Sequence, residues 1–454
     1  MPELPEVETI KNSLNKFIKG LKITDVKVNY ANIINNDKTF KDKLINQTIH
    51  EVKREAKFLK FILDDYVLIS HLRMEGKYFL DDELNSKHTH LIFTLSNHQK
   101  LAYHDTRKFG RFELIDIKLA DNYLRDFKNL AKDPKDIDFN DFYSKIKKSK
   151  RAIKNILLDQ SVIGGIGNIY ANEILFKAKI NPAKKGFLIK NPEAKLILKE
   201  TINVLDHAIK LGGTTIKSYK SLGESGSFQQ ELLVQGRVNL ECFVCKTIIK
   251  KTFISGRGTY YCPNCQKSLK IAITGGIASG KSETTKYLKT LGFKVIDSDK
   301  IVKELYQKKE VINLIKENFN VVENNKINFK KLSNLIFSDE NEKLKLEKLI
   351  HPLVFTEMEN KLNNEFYHLI FIDIPLLFET NYNNYDYSLL ITTSLNNQIE
   401  RLMKRDNIKK DLALLKINSQ IPLTKKEKLA DYIIYNNDSI NELHKNIDKF
   451  LLNF

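Results

Sequence analysis

The chain has 454 residues, 42% of them hydrophobic and 29% charged, which is an ordinary globular balance. That length exceeds what one hydrophobic core supports, so two or three domains are expected and a disordered or fibrous chain is excluded. The formal charge is +18, and most of the excess precedes residue 271, which makes the first part the candidate polyanion binder. Lys, Asn and Ile are heavily used throughout, so charge alone is a weak argument. No segment reaches roughly eighteen uninterrupted apolar residues, and the opening "MPELPEVETI" lacks a basic region followed by an apolar one. A cytoplasmic protein with no membrane partner is expected.

After "PELPE", Val7, Ile10, Leu14 and Phe17 recur at helical spacing and predict an amphipathic first helix. From about Ile23 to Ile117 short alternating runs take over, with Asp64-Asp65 and Asn97-His98 at hairpin turns, so an antiparallel sandwich or barrel follows. Between Asp141 and about Lys210 the period is helical again, interrupted by "GGIGN" and by Pro182 and Pro192. Residues 233–268 alternate around cysteines. From Ile271 onward the apolar runs "KIAITGG", "FKVIDSD", "LIFIDIPLL" and "YSLLITTS" alternate with helical segments, the pattern of a parallel sheet wrapped by helices.

Three stretches carry chemistry. Cys242 and Cys245, then Cys262 and Cys265 after a sixteen-residue gap, form two CxxC knuckles that can bring four thiolates to the corners of a tetrahedron around one structural Zn²⁺. No cysteine is left for a disulfide elsewhere, and a redox pair is the minority alternative.

Pro2 is the second stretch. Removal of Met1 would leave its secondary amine at the head of the chain, and α-amino groups titrate near 7.7 to 8.0, so a neutral fraction able to attack a sugar carbon exists near pH 7. Glu3 and Glu6 stand beside it as proton carriers. The same residues also read as an ordinary helix start with prolines and acids in the first turn.

The third is a phosphate loop. Gly275, Gly280, Lys281 and Ser282 satisfy GxxxxGK[ST] after an apolar strand and before a helical segment. In such a loop the backbone N–H groups of Gly276, Ile277, Ala278, Ser279 and their neighbours through Glu283 face phosphate, Lys281 neutralises it, and Ser282 ligates Mg²⁺. ATP and Mg²⁺ are therefore the expected co-substrate and ion, and any P-loop NTPase fits the motif taken alone.

Residues 2–267 resemble the formamidopyrimidine-DNA glycosylase family. The resemblance is carried in order by "PELPEVETI", "AKFLKF", "HLRMEGKY", "DTRKFGRFEL", "LLDQSVIGGIGNIYANEIL" and "GRGTYYCPNCQ". It implies an N-terminal β-sandwich (1–130), a helix-two-turn-helix module (131–232) and a zinc ribbon (233–268). It also implies a damaged double-stranded DNA partner and excision of oxidised purines with strand cleavage. Pro2 would be the Schiff-base nucleophile and Glu3 the proton donor and acceptor. Lys57, Asn168 and Arg257 would hold phosphates, and Met74, Arg107 and Phe109 would fill the gap left by a flipped nucleotide. "VQGR" at Gln235 departs from the family's VYGR, so base specificity is not carried over from the loop Ser221 to Phe228. An endonuclease VIII-like branch, which starts with PEG instead of "PEL", and an inert DNA-binding zinc protein are the alternatives.

Residues 270 to about 437 resemble dephospho-coenzyme A kinase. The matching segments are "TGGIASGKS", "VIDSDKIVKELY", "IFSDENEKLKLEKLIHPLV", "DIPLLFE", "QIERLMKRD" and "QIPLTKKEKLADYIIYNN". This implies a P-loop kinase domain (269–454) that phosphorylates the ribose 3′-hydroxyl of dephospho-coenzyme A. Asp299 would be the base, with Asp297 as runner-up, and Arg401 and Arg405 would reach from a lid. Lys330 and Lys416 stand where relatives often carry Arg. Another nucleoside or nucleotide kinase is the alternative. The seam would lie at Lys267 to Lys270, where one family ordinarily ends and the other begins.

Overall fold

The computed structural model describes residues 2–214, 226–363, 366–380 and 382–454, and the chain divides into two compact units, Met1–Lys267 and Ser268–Phe454. In the first unit the helix Leu4–Ile18 starts at Glu3, whose backbone N–H is capped by Glu6. Val7, Ile10 and Leu14 are buried as the spacing predicts, but the fourth position inside is Ile18, while Phe17 is 38% exposed. A step of four from Leu14 keeps the buried stripe on the face that meets the sheets, and a step of three leaves it.

Two four-stranded antiparallel sheets follow. One orders Ile23–Val28, Thr89–Leu95, Lys100–His104 and Lys77–Leu80; the other orders Glu51–Glu55, Phe58–Ile62, Tyr66–His71 and Arg111–Asp116. The expected turns at Asp64-Asp65 and Asn97-His98 join hairpin strands. Val26, Phe93 and Leu101 from the first sheet and Leu59, Phe61 and Phe112 from the second share one core with the helix, so the sheets form a sandwich. Helices Phe139–Lys147, Ile153–Leu157, Asn168–Lys177 and Asn191–Lys210 enclose another core, which Leu4 enters from the N-terminal helix. The ribbon is a hairpin, Lys250–Ile254 with Arg257–Tyr261, closed by Ser255 and Gly256 at φ +46° and +73°, as a two-residue turn with both central residues left-handed requires.

In the second unit five parallel strands run in the order Lys294–Asp297, Leu369–Asp373, Leu269–Gly275, Tyr387–Thr392 and Tyr432–Tyr435. Leu369–Asp373 is buried at every position, as a strand covered on both faces must be. The central strand Leu269–Gly275 has neighbours reached in opposite directions, and ligands of such sheets bind beyond the strand ends at that switch point. No helix among the described residues is long and apolar enough to cross a membrane.

Two candidate active sites

The helix Asn168–Lys177 begins at Gly167 with unpaired backbone N–H groups, and Glu3 satisfies them. Its Oε2 accepts from Gly167 N at 2.6 Å and its Oε1 from Ile169 N at 2.9 Å. The carboxyl lies so close that a Cβ on Gly167 would meet its Oε1 at 2.5 Å, which explains the glycine of "GIGN". Glu3 is 2% exposed, and burial pushes its carboxyl up to about 7. The Lys57 ammonium and the two N–H groups pull it the other way, and neighbouring Glu6 adds to the rise.

Glu6 takes four donors: Glu3 N, Tyr170 Oη, Thr214 N and Thr214 Oγ1, at 2.7 to 2.9 Å. Its oxygens are thus committed to holding the chain's head in place. Pro2 is buried just before this pair. Lys57, in the turn between the strands Glu51–Glu55 and Phe58–Ile62, donates to Ile166 O at 2.7 Å, and burial lowers its pKa. Asn168 Nδ2 donates to Gly258 O at 3.0 Å, tying the helix start to the hairpin that carries exposed Arg257. Sequence reasoning missed Lys154. It is fully buried, donates to Gly258 O and Thr259 Oγ1 at 2.8 Å each, and has its pKa lowered by burial to about 7. Nothing in "RAIKNILL" distinguishes it from the surface lysines around it.

Met74 and the pair Arg107 and Phe109 sit on two loops. Met74 is 36% and Phe109 47% exposed, and the Arg107 guanidinium lies 4.7 Å from the Phe109 ring centroid. Buried Asp105 shapes the second loop by accepting from Arg107 N, Phe109 N and Gly110 N at 2.8 to 2.9 Å. Gly76 and Gly110 both close on the hydroxyl of Tyr103, so the two loops are neighbours across one buried ring. His71 Nδ1 accepts from Arg73 N at 3.0 Å, and burial, with Arg73 and Lys57 nearby, lowers its pKa to about 3, which leaves it a neutral acceptor for the start of this loop.

The four cysteine sulfurs lie within 4.8 Å of one another, with the closest pairs at 3.3, 3.5 and 3.9 Å. These spacings are too long for disulfides and bracket the edge of about 3.8 Å expected for a tetrahedron with Zn–S about 2.3 Å. The donor set fits Zn²⁺ with no open position. Gln235 Oε1 accepts from Asn172 Nδ2 at 2.6 Å, and the backbone N–H groups of Leu233, Val234 and Gln235 cap buried Glu173. Of the specificity loop, residues up to 225 lie outside the described residues.

In the second unit a cavity of about 580 Å³ is lined by the loop from Gly275 to Ser282, by Asp299, and by Arg401, Arg405 and Lys416. Ala278 at φ +58° and Gly280 at φ +104° curl the loop into an anion-binding nest ahead of the helix Lys281–Thr290. Glu283 lies one turn in, facing His444 at 3.2 Å and away from the cavity wall. Asp297 caps the helix Ser298–Leu305 by accepting from Lys300 N, whereas Asp299 faces the cavity. Lys281 pairs with Asp373, a residue sequence reasoning passed over inside "DIPLLFE". Burial raises the Asp373 pKa, Lys281 opposes that, and Asp297 and Asp299 add to it, so both lie near the carboxylate that Lys281 pairs with. Arg401 donates to Asn436 O at 3.0 Å through Nη2, while its Nη1 and Ser279 Oγ are buried without a partner among the described residues. Unsatisfied donors facing a phosphate loop fit a bound polyphosphate. Lys416 and Arg405 both pair with Asp406, and Lys330 is exposed on the helix Phe329–Ser338, away from the cavity lining.

A buried acid at a helix start just after the second residue, exposed Met74, Arg107 and Phe109 on neighbouring loops and a four-thiolate ribbon are the features of a DNA-repair enzyme of the helix-two-turn-helix, zinc-ribbon class. Family models for the formamidopyrimidine-DNA glycosylase N-terminal domain, its H2TH domain, and the zinc finger found in FPG and IleRS match residues 1–112, 130–220 and 240–267. The chain is 44% identical over 273 residues to the formamidopyrimidine-DNA glycosylase of Streptococcus pneumoniae, covering 59% of this chain and 99% of that one. It is 42% identical over 274 residues to that of Listeria monocytogenes, covering 100% of it. A Lactococcus lactis FPG mutant in complex with Fapy-dG-containing DNA superposes with TM-score 0.57 at 40% identity, over 59% of this chain and all of that one. The chain belongs to the formamidopyrimidine-DNA glycosylase family. Residues 269–442, in the second unit, match the family model for dephospho-CoA kinase.

Proposed function

We propose that the chain is bifunctional. The first unit excises oxidised purines (formamidopyrimidine and 8-oxoguanine) from double-stranded DNA and cleaves the strand. The second transfers the ATP γ-phosphoryl to the 3′-hydroxyl of dephospho-coenzyme A. In the first, Pro2 N, freed of Met1, attacks C1′ of the flipped nucleotide as the bond to the base breaks; the nitrogen loses its proton, and the C1′–O4′ bond then opens with a proton taken up at O4′, leaving an iminium that links protein to sugar. Glu3, with a pKa of about 7, exchanges protons with the sugar near neutrality. Lys57, Asn168 and Arg257 grip flanking phosphates, and Met74, Arg107 and Phe109 occupy the vacated stack. Zn²⁺ on Cys242, Cys245, Cys262 and Cys265 folds the hairpin that presents Arg257.

In the second unit the N–H groups of residues Gly275–Glu283 and the side chain of Lys281 receive the phosphates. Ser282, Asp299 and Asp373 would hold Mg²⁺, which would supply positive charge to the transferred phosphoryl group. Asp299 accepts the proton of the attacking hydroxyl, and Arg401 offers its unpaired Nη1 to the transferred group.

The observation that carries the first reading is Glu3, buried and hydrogen-bonded to the helix start directly after Pro2. Borohydride trapping on 8-oxoguanine DNA tests it: the intact protein should become covalently linked and Pro2→Gly should trap far less. Equal trapping by the variant removes Pro2 from the reaction. For the second unit, ATP turnover is compared with dephospho-coenzyme A and with nucleoside monophosphates, and preference for the latter rejects the assignment.

A further inference from the structure

The phosphate loop is gripped from behind by two side-chain amides far away in sequence. Gln398 Nε2 donates to Ile277 O at 2.8 Å, and Asn436 Nδ2 donates to Ser279 O at 2.9 Å. Both residues are almost fully buried, 4% and 8% exposed. With two of its carbonyls committed to these amides and Ser279 N donating to Gly276 O at 3.2 Å, the loop is held in the curled shape that suits an anion. Asn436 also fixes the lid arginine, because its own backbone carbonyl accepts from Arg401 Nη2 at 3.0 Å and from Thr393 Oγ1 at 2.9 Å. Gln398 and Arg401 lie one turn apart on the helix Leu395–Asp406, so this helix touches the loop directly through one and through Asn436 by the other. The fit is close: a Cβ on Gly280 would run into the Asn436 amide.

We propose that Asn436, seconded by Gln398, is a positioning residue that holds the phosphate loop in its anion-binding shape and sets Arg401 at a fixed distance from it. The proposal rests on the reading of the second unit as an ATP-dependent kinase. Asn436 touches neither phosphate nor acceptor; it acts through the Ser279 carbonyl and the Arg401 guanidinium.

The test uses the full chain. Asn436→Asp keeps the shape but faces the Ser279 carbonyl with a carboxylate that has no proton to donate. Affinity for the fluorescent analogue mant-ATP and KM for ATP should each worsen about tenfold or more, since a buried carbonyl loses its donor. Lowering the pH from about 8 to about 6 should recover part of the loss in this variant alone, because a buried aspartic acid regains its proton readily. Paired with Arg401→Lys, the effects on kcat/KM should be less than additive. Asn436→Ala removes the donor without adding charge and serves if Asn436→Asp does not fold, while trapping on damaged DNA monitors the first unit of the same molecules. Nucleotide affinity within twofold of the unmodified chain for the folded variant, or strict additivity with Arg401→Lys, would overturn the proposal. If the unmodified chain phosphorylates no dephospho-coenzyme A, the kinase assignment fails, and the mant-ATP affinities still decide the role of Asn436.

Discussion

Glu3 offers a quantitative test of how burial competes with hydrogen bonding. Two backbone N–H groups and a buried lysine favour its ionised form, yet desolvation dominates and its pKa moves from 4.5 to about 7. A group more acidic in the unfolded chain than in the folded one gives the folded state extra bound proton between those values. Stability is therefore fully present below pH 4.5 and is lost as pH rises through 7. The loss amounts to about 3 kcal/mol, and at 2% exposure solvent screens little of it. Glu3→Gln keeps the shape, cannot ionise and sacrifices one accepted N–H bond, a cost that does not vary with pH. The stability difference between variant and unmodified chain should accordingly shift in the variant's favour by about 3 kcal/mol between pH 4.5 and 7.5. Hydrogen exchange of the helix Asn168–Lys177, followed by mass spectrometry across a denaturant series, reads this unit separately from the other. A difference flat to within about 0.5 kcal/mol over that range would refute the dominance of burial.

Exhaustive chelation of zinc should abolish cleavage of damaged DNA, because the hairpin bearing Arg257 depends on the metal, while ATP turnover by the same molecules stays unchanged. Gly110→Ala should destabilise the first unit by about 1 to 3 kcal/mol by pressing on the Tyr103 hydroxyl, and Tyr103→Phe should relieve part of that, measured by thermal melting of the single and double variants. Lys281→Met should abolish ATP turnover and cost about 3 kcal/mol by stranding buried Asp373. Adding Asp373→Asn should return the stability without the turnover, as denaturation and kinase assays on the pair would reveal.

What the sequence made legible was whatever is local. The two CxxC knuckles, the phosphate loop between strand and helix, and the alternation that became the sandwich each lie within a short window, and each has a spacing that physics dictates. Asp373 was hidden because its run "LIFIDIPLL" reads as a buried strand, and only the parallel register beside Leu269–Gly275 brings its carboxylate to Lys281. Asn436 and Gln398 were hidden for a related reason. A side-chain amide has no periodicity of its own, and these reach the loop from residues more than a hundred positions away. The fifth strand, Tyr432–Tyr435, is too short to announce itself except inside a family motif. Phe17 was misplaced because helical spacing fixes which residues share a stripe but not where the stripe ends.

The two sites exploit the same physical resource in opposite ways. Each sits at the start of a helix, where unpaired N–H groups and the dipole attract negative charge, and each needs a glycine because something presses close: Glu3 on Gly167, Asn436 on Gly280. In the first unit the protein's own carboxylate occupies that position, so the helix start is spent on holding Glu3 and cannot also take a DNA phosphate. Cations stand around it instead: buried Lys57, whose charge reaches Glu3, and exposed Arg257, whose charge reaches Lys57. In the second unit no carboxylate of the chain takes that place among the described contacts; Gln398 and Asn436 bind two of the loop's carbonyls and leave the helix start facing the cavity. Glu3→Ala should therefore do more than remove a proton carrier. It should uncover an anion site at Gly167 and Ile169 that inorganic phosphate can fill, protecting those amides from exchange in a concentration-dependent way that the unmodified chain does not show. Absence of such protection at saturating phosphate would mean that the helix start is held by something other than the Glu3 carboxylate.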